Sequence, residues 1–226
     1  MRLFSLLPQR CLGCGVASPH PLCRSCQARF QPESPPDLGQ GRCPVCGQVL
    51  LAEADRCVDC SVQAWSFPSI DGLFSYQEPG AELLRLYKFG GLACLAAPWA
   101  RAAAPRLLPP GPLVPVPPLR RNLWKRGWDP VQLFTSALGR NAGLPVWKLL
   151  VRRASLSQKT LAREDRLDNA RRAYALAPSA ARRLDRSPVV WLVDDVVTTG
   201  ATVEACSRLL RDAGAAEVKV LCVGLH

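Results

Sequence analysis

Residues 189–202 read Val-Val-Trp-Leu-Val-Asp-Asp-Val-Val-Thr-Thr-Gly-Ala-Thr, an apolar run that ends on two adjacent carboxylates and then on a small, hydroxyl-rich turn. Five apolar residues after Pro188, three of them valine, suit a strand buried on both faces of a parallel sheet. From Thr202 the spacing of Val203, Cys206, Leu209 and Leu210 predicts one face of a helix, which Gly214 ends. Asp194 and Asp195 are thereby expected at the carboxyl end of a strand, the rim where open α/β sheets bind ligands. The turn that follows gathers free backbone N–H groups and the positive end of a helix at one point, which makes a phosphate site. Gly200 lets the backbone approach the anion, and Val197, Thr198, Thr199, Ala201 and Thr202 complete the cradle, with the threonine hydroxyls as added donors.

Paired carboxylates beside a phosphate cradle match a ligand with vicinal hydroxyls and a phosphate, as in ribose 5-phosphate. Asp194 and Asp195 would accept from the ribose hydroxyls while the turn holds the phosphate. No Gly-Lys-Ser/Thr follows the glycine, so this is not a Walker A loop. A buried strand followed by a plain helix N-cap would need one threonine and no acid pair. The segment resembles the phosphoribosyl pyrophosphate (PRPP) motif of type I phosphoribosyltransferases: an apolar strand, two acids, two residues, then Thr-Thr-Gly-Ala-Thr.

The chain has 226 residues, room for one sizeable α/β domain and a small module, and its 21 prolines predict numerous stiff loops. No apolar run approaches the length needed to cross a bilayer. Residues 1–8 carry five apolar residues before Pro8 and no cleavage site before the cysteines begin, so they are not read as a signal peptide and a cytoplasmic location is expected. The net charge of +11 is uneven: residues 119–186 hold 16 Lys and Arg against 5 Asp and Glu, a balance equal to that of the whole chain. A basic middle segment fits an anionic ligand or nucleic acid, and equally a solvated arginine-rich face.

Eight of the 11 cysteines form four Cys-x-x-Cys pairs: Cys11/Cys14, Cys23/Cys26, Cys43/Cys46 and Cys57/Cys60. Gly15 and Gly47 follow the second cysteine of two pairs, as a zinc knuckle needs where amides bend toward thiolates. The first two pairs are eight residues apart and the last two ten, while 16 residues separate Cys26 from Cys43, so two successive four-cysteine sites are expected, a double zinc ribbon over residues 1–65. Disulfides and Fe–S ligation are the alternatives, and a cytoplasmic chain weighs against the first. Four thiolates leave no open position for water, so both Zn²⁺ ions would be structural. A structural zinc supplies on the order of 10–16 kcal/mol in small peptides, and without it this coreless stretch should unfold. Residues 1–65 hold six Lys and Arg against five acids, which gives the ribbons no electrostatic case for DNA and makes protein contacts as plausible. Cys94, Cys206 and Cys222 lie in apolar segments and are expected in the core.

In the remainder, residues 66–226, Ile70–Gln77 alternates as an edge strand does. Glu78–Ala104 reads as helix, broken at Gly90-Gly91, with Lys88 at the break as a phosphate ligand or a C-terminal cation. Leu113–Pro118 is a short strand whose prolines forbid a long ladder; if parallel, it delivers Arg120, Arg121, Lys125 and Arg126 to the rim that carries the aspartates, where a second phosphate group could be held. Residues 131–143 read as a helix ending at Gly143, and residues 152–174 as a lid or solvated helix.

With Leu-Tyr-Lys-Phe at 86–89, Pro-Val-Pro at 115–117, Arg-Gly-Trp at 126–128, and Gln158, Arg166 and Asn169, the whole order resembles the ComF family, amidophosphoribosyltransferase-like proteins associated with competence. The resemblance implies a type I phosphoribosyltransferase fold, a mostly parallel sheet flanked by helices, preceded by the double zinc ribbon. It implies PRPP bound with Mg²⁺: ribose on Asp194 and Asp195, the 5-phosphate on Thr198–Thr202, pyrophosphate on Arg120, Arg121 and Arg126, and closure by Gln158, Lys159 and Arg166. It also implies a role in DNA uptake during natural transformation, on incoming single strands, beside partners such as a DNA-uptake helicase. The chain departs from the family at Asp129 and Pro130, where an amide pair is usual and an added negative charge would weaken the pyrophosphate half, and at Ser155 and Tyr174 in place of Thr and Phe. Two other readings stand beside this: an active phosphoribosyltransferase with an unidentified acceptor, and a PRPP sensor that binds DNA without turnover, stacking bases on Trp124, Trp128 and Tyr174.

Overall fold

The valine-rich run at 189–197 does form the strand its composition asks for, and the rest of the sheet assembles around it. A computed structural model of the chain describes residues 10–11, 14–20, 22–29, 41–43, 45–47, 50, 54–76, 80–153, 172–178, 180–184 and 189–225. In chain order these hold α1 (Arg24–Arg29), α2 (Val58–Val62), β1 (Ile70–Ser75), α3 (Gly80–Phe89), α4 (Ala96–Ala103), β2 (Leu113–Pro115), α5 (Arg120–Arg126), α6 (Pro130–Ala142), β3 (Leu150–Arg152), β4 (Tyr174–Leu176), α7 (Ala180–Leu184), β5 (Val189–Val197), α8 (Ala201–Asp212) and β6 (Glu217–Leu225). Gln158, Lys159, Arg166, Asn169 and Ser155 lie outside the described residues.

Four strands make a parallel sheet in the order β1-β6-β5-β2, and β3 and β4 form a separate antiparallel pair. The two longest strands are central and buried on both faces, as parallel strands covered by helices must be. β1 is at an edge, as its alternation predicts. β2 stops after three residues because its prolines carry no N–H for a longer ladder. Its outer edge is covered by the chain at 145–147, Leu113 bonding to Pro145 O and Trp147 N. The α/β class, the parallel sheet and the flanking helices expected from the sequence are all present, and no helix among the described residues is long and apolar enough to cross a membrane.

The sheet separates two apolar layers. One contains Val190, Leu192, Val218, Val220 and Cys222 of the sheet, Val203, Cys206 and Leu210 of α8, and the cysteines Cys43, Cys46, Cys57 and Cys60. The other contains Val189, Trp191, Val193, Leu221 and Val223 with α3, α4 and α6, and takes in Cys11 and Cys26. Burying nonpolar surface on both sides at about 25 cal/mol per Å² is what holds this sandwich of layers.

Several boundaries move from those expected. The stretch from Glu78 to Ala104 becomes α3, a 3₁₀ turn at Ala93–Leu95 and α4, with Gly91 at φ 76 after the first stop. α6 ends where expected, Gly143 taking the left-handed cap at φ 67. Cys206 and Cys222 are fully buried, but Cys94 is exposed on the 3₁₀ turn and is not a core residue. An apolar neighbourhood in sequence did not bury it, because a 3₁₀ turn of three residues turns only Leu95 inward.

Candidate functional site

β5 does not stop at the acid doublet. The ladder continues through Val196↔Gly224 and Val197↔Leu225, so Asp194 and Asp195 sit within the strand. Successive side chains of a strand point to opposite faces, and this separates the two carboxylates. Asp194 enters the α8 layer, is 8% exposed, and accepts the Asp195 N–H at 2.7 Å. Burial, then the charge of Asp195, pushes its carboxyl up to about 8, against the pull of that N–H and of Lys88 and Arg152. Asp195 enters the other layer, where Lys88 Nζ meets its Oδ2 at 2.9 Å. Lys88 therefore faces an acid of the doublet, which neither of the two roles expected for it anticipated.

The 198–202 loop follows directly. Thr198 and Thr199 form a bend, Gly200 takes the left-handed conformation at φ 74, and α8 begins at Ala201 without a side-chain cap. Its first N–H groups are thus presented to the rim, as a helix N-terminus presents them to an anion. Gly200 is required twice: for its φ, and because a Cβ would press on the Trp65 ring at 3.0 Å. The Tyr174 hydroxyl accepts from Arg152 Nη1 at 2.8 Å. The Arg152 guanidinium lies 4.9 Å from the Tyr174 ring centroid and its buried Nε has no hydrogen-bond partner among the described residues. Tyr174, the position where a hydroxyl is added to the family's usual Phe, therefore joins β4 to β3 through Arg152. Sequence reasoning missed Arg152, Trp65 and Glu204, since polar or isolated residues at those positions carry no spacing signal.

β2 is parallel to β5, so α5 rises from the same rim as the doublet. Arg120, Arg121 and Lys125 are exposed there, while Arg126 lies over the Phe89 ring at 5.0 Å. Asp129 is the N-cap of α6, accepting from Gln132 N at 3.1 Å, and Pro130 is the first helical residue, where its missing N–H costs nothing. The replaced amide pair is thus a helix start. Of the three aromatics considered for stacking, Tyr174 is buried and Trp128 packs edge-on against Tyr87 at 5.2 Å. Trp124, 86% exposed, remains, and Phe89, 72% exposed, joins it.

The cysteines gather as their spacing predicts. The sulfurs of Cys11, Cys14, Cys23 and Cys26 lie within 4.8 Å of one another, as do those of Cys43, Cys46, Cys57 and Cys60. Cys14 and Cys23 are 3.7 Å apart and Cys46 and Cys57 3.6 Å. A tetrahedron of Zn–S bonds of about 2.3 Å spaces its sulfurs by about 3.8 Å, whereas a disulfide needs about 2.05 Å. Gly15 and Gly47 adopt φ 77 and φ 75, and donate to Cys11 O and Cys43 O at 2.7 and 2.8 Å. The residues present fit two closed zinc sites.

Comparison with known proteins agrees in extent and order. No family model matches the chain. Competence protein F of Haemophilus influenzae is 30% identical over 232 residues, covering 97% of each chain. Competence protein ComFC of Streptococcus pneumoniae is 26% identical, over 88% of this chain and 84% of its own. DNA utilization protein YhgH of Escherichia coli K12 is 28% identical, over 80% and 82%. Among solved structures, glutamine phosphoribosylpyrophosphate amidotransferase from B. subtilis, complexed with ADP and GMP, aligns at TM-score 0.44 and 16% identity, over 62% of this chain and 30% of its own. With a competence protein matched from end to end, the chain belongs to the ComF family.

Proposed function

We propose that the chain binds PRPP with Mg²⁺ at the rim formed by β5, the 198–202 loop and α5, and acts on incoming single-stranded DNA in the cytoplasm during natural transformation. Residues 1–65 serve as the metal-bearing module and residues 66–226 as the ribose-phosphate domain. The observation that carries the reading is the uncapped, glycine-started N-terminus of α8, directly after a strand that holds two carboxylates. In this reading Thr198–Thr202 hold the 5-phosphate, the doublet orients the ribose hydroxyls, and Arg120, Arg121 and Arg126 face the pyrophosphate. The acids suit hydroxyls better than a bare cation, because Lys88 already occupies Asp195 Oδ2 and the Asp195 N–H occupies Asp194 Oδ1. Mg²⁺ bound chiefly through the pyrophosphate would neutralise its charge. Asp194, protonated at neutral pH, can donate its proton to a ribose oxygen or release it as the ligand settles.

The DNA part rests on the relatives' names, competence protein and DNA utilization protein, and on the surface of α5. Exposed Trp124 and Phe89 stand among Arg120, Arg121, Lys125 and Arg126, which is the mixture of aromatic faces and cations that single strands require. That patch also favours a second reading, a PRPP-responsive DNA binder without turnover. Calorimetry tests both. Asp194→Ala with Asp195→Ala is expected to abolish PRPP binding and keep the zinc content; unchanged affinity removes the site. Trp124→Ala is expected to weaken single-stranded DNA binding about tenfold, as loss of one stacked base does, and DNA affinity should fall steeply with salt. Pyrophosphate release with any added acceptor would decide for turnover.

A further inference from the structure

Trp65 stands between the second cysteine cluster and the phosphate loop and touches both. Its indole N–H donates to Cys60 Sγ at 3.1 Å. Its six-membered ring occupies the side of Gly200 where a Cβ would otherwise be, 3.0 Å away. The next residue repeats the connection: Ser66 N–H donates to Glu204 Oε2 at 2.7 Å and its hydroxyl to Oε1 at 2.9 Å. Glu204 belongs to the first turn of α8 and is 3% exposed. Phe67 then anchors the segment, buried in the same layer and 5.3 Å from the Trp65 ring. Two consecutive residues therefore tie a four-sulfur cluster to the first turn of the helix that opens toward the rim. The buried members of the first cluster, Cys11 and Cys26, lie in the opposite layer.

A loop that binds phosphate through backbone N–H groups gains affinity when its geometry is set beforehand. A metal-bound thiolate is a charged acceptor held at a fixed point, and hydrogen bonds to charged groups are the stronger kind. We propose that Trp65 is a positioning residue which makes the shape of the 198–202 loop depend on metal loading of the Cys43, Cys46, Cys57 and Cys60 cluster, so that ribose-phosphate affinity reports that cluster and not the other. This rests on the reading of that loop as the ribose-phosphate site.

The test uses the full chain loaded with zinc. Trp65→Ala is expected to keep both zinc ions, to speed amide exchange at residues 198–204, and to weaken PRPP binding about tenfold, the loss of one charge-assisted bond and a ring contact. Trp65→Phe restores the ring without the N–H, and should recover part of the affinity. Cobalt-loaded Trp65→Phe should show a shifted sulfur-to-metal absorption band, a signature a purely space-filling role would not move. Cys60→Ser should speed exchange in the loop, and Cys14→Ser should not. Unchanged loop exchange in both Trp65 variants, or equal effects of the two cysteine variants, overturns the proposal. If Trp65→Ala fails to fold, Trp65→Phe and the cobalt spectrum still decide. Should the wild-type chain not bind PRPP, the ligand reading fails while the exchange measurements still judge the coupling.

Discussion

The chain carries one phrase twice, Arg-Cys-x-x-Cys-Gly at residues 10–15 and 42–47, and gives the two copies different standing in the molecule. Locally they match. Each glycine takes a left-handed φ, and each arginine donates to the glycine carbonyl, Arg10 to Gly15 O at 3.2 Å and Arg42 to Gly47 O at 2.9 Å. Beyond the knuckle they part. Gly15 faces open space and Cys14 is exposed, whereas a Cβ on Gly47 would overlap the Leu225 side chain, and all four sulfurs of the second cluster are buried. Arg42 also reaches Ser75 Oγ at 2.8 Å, at the end of β1. The first copy is a partly exposed knuckle; the second is built into the carboxyl rim of the sheet. A short motif dictates its own turn, and the surface it meets dictates how much of the fold depends on it.

The largest expected effect comes from breaking the clusters in turn. Cys43→Ser with Cys46→Ser should abolish cooperative unfolding of the α/β domain, since on the order of 10 kcal/mol of metal-linked stability vanishes from a cluster whose four cysteines are all buried against the sheet. Cys11→Ser with Cys14→Ser should leave one zinc per chain and a folded sheet, as read by metal analysis and circular dichroism melting. Equal damage from the two pairs would erase the distinction.

The layer of the second cluster also holds Asp194, and its titration sharpens the contrast. Between the unfolded carboxyl value of 3.8 and the folded value of about 8, the native state keeps a proton that the unfolded chain has released. Stability therefore falls as pH rises through this window and levels off above it. Asp194→Asn should remove that slope in denaturant titrations between pH 6 and 9 and raise stability at the upper end. Asp195→Asn, in the layer of the first cluster, should lose the Lys88 pair and reduce the slope without removing it, because burial is the larger cause of the Asp194 shift and the Asp195 charge the second.

Smaller effects follow from the knuckles themselves. Gly47→Ala should cost about 2–3 kcal/mol, from its φ and the clash with Leu225, and Gly15→Ala about 1 kcal/mol, from its φ alone. Arg42→Ala should cost about 1 kcal/mol through two lost hydrogen bonds, and Arg10→Ala, exposed and singly bonded, under about 0.5 kcal/mol. Chemical denaturation of each pair measures the differences.

Much of the site was legible because its signals are local. The β5 run, Gly200, the face of α8 and the grouping of eight cysteines all depend on spacings of a few residues and stand where expected, while the acid doublet lies within the strand and not at its end. The strand reached beyond the acids because its partner β6 continues alongside, which no feature of 189–197 records. Lys88 pairs with a carboxylate 107 residues away. Ser66 and Glu204 are separated by 138 positions, and Arg42 and Ser75 by 33.

By its own spacing the sequence determined a parallel strand followed by a glycine turn that opens a helix, and two sets of four cysteines, because backbone geometry converts intervals of two, three and four residues directly into faces and turns. Tertiary structure alone decided that the two acids enter different layers with different partners, that Asp129 caps a helix, and that all four cysteines of the second cluster lie in the α8 layer while Trp65 spans from them to Gly200. Those outcomes depend on which distant surfaces meet, and burial and partner charge are set only when they do.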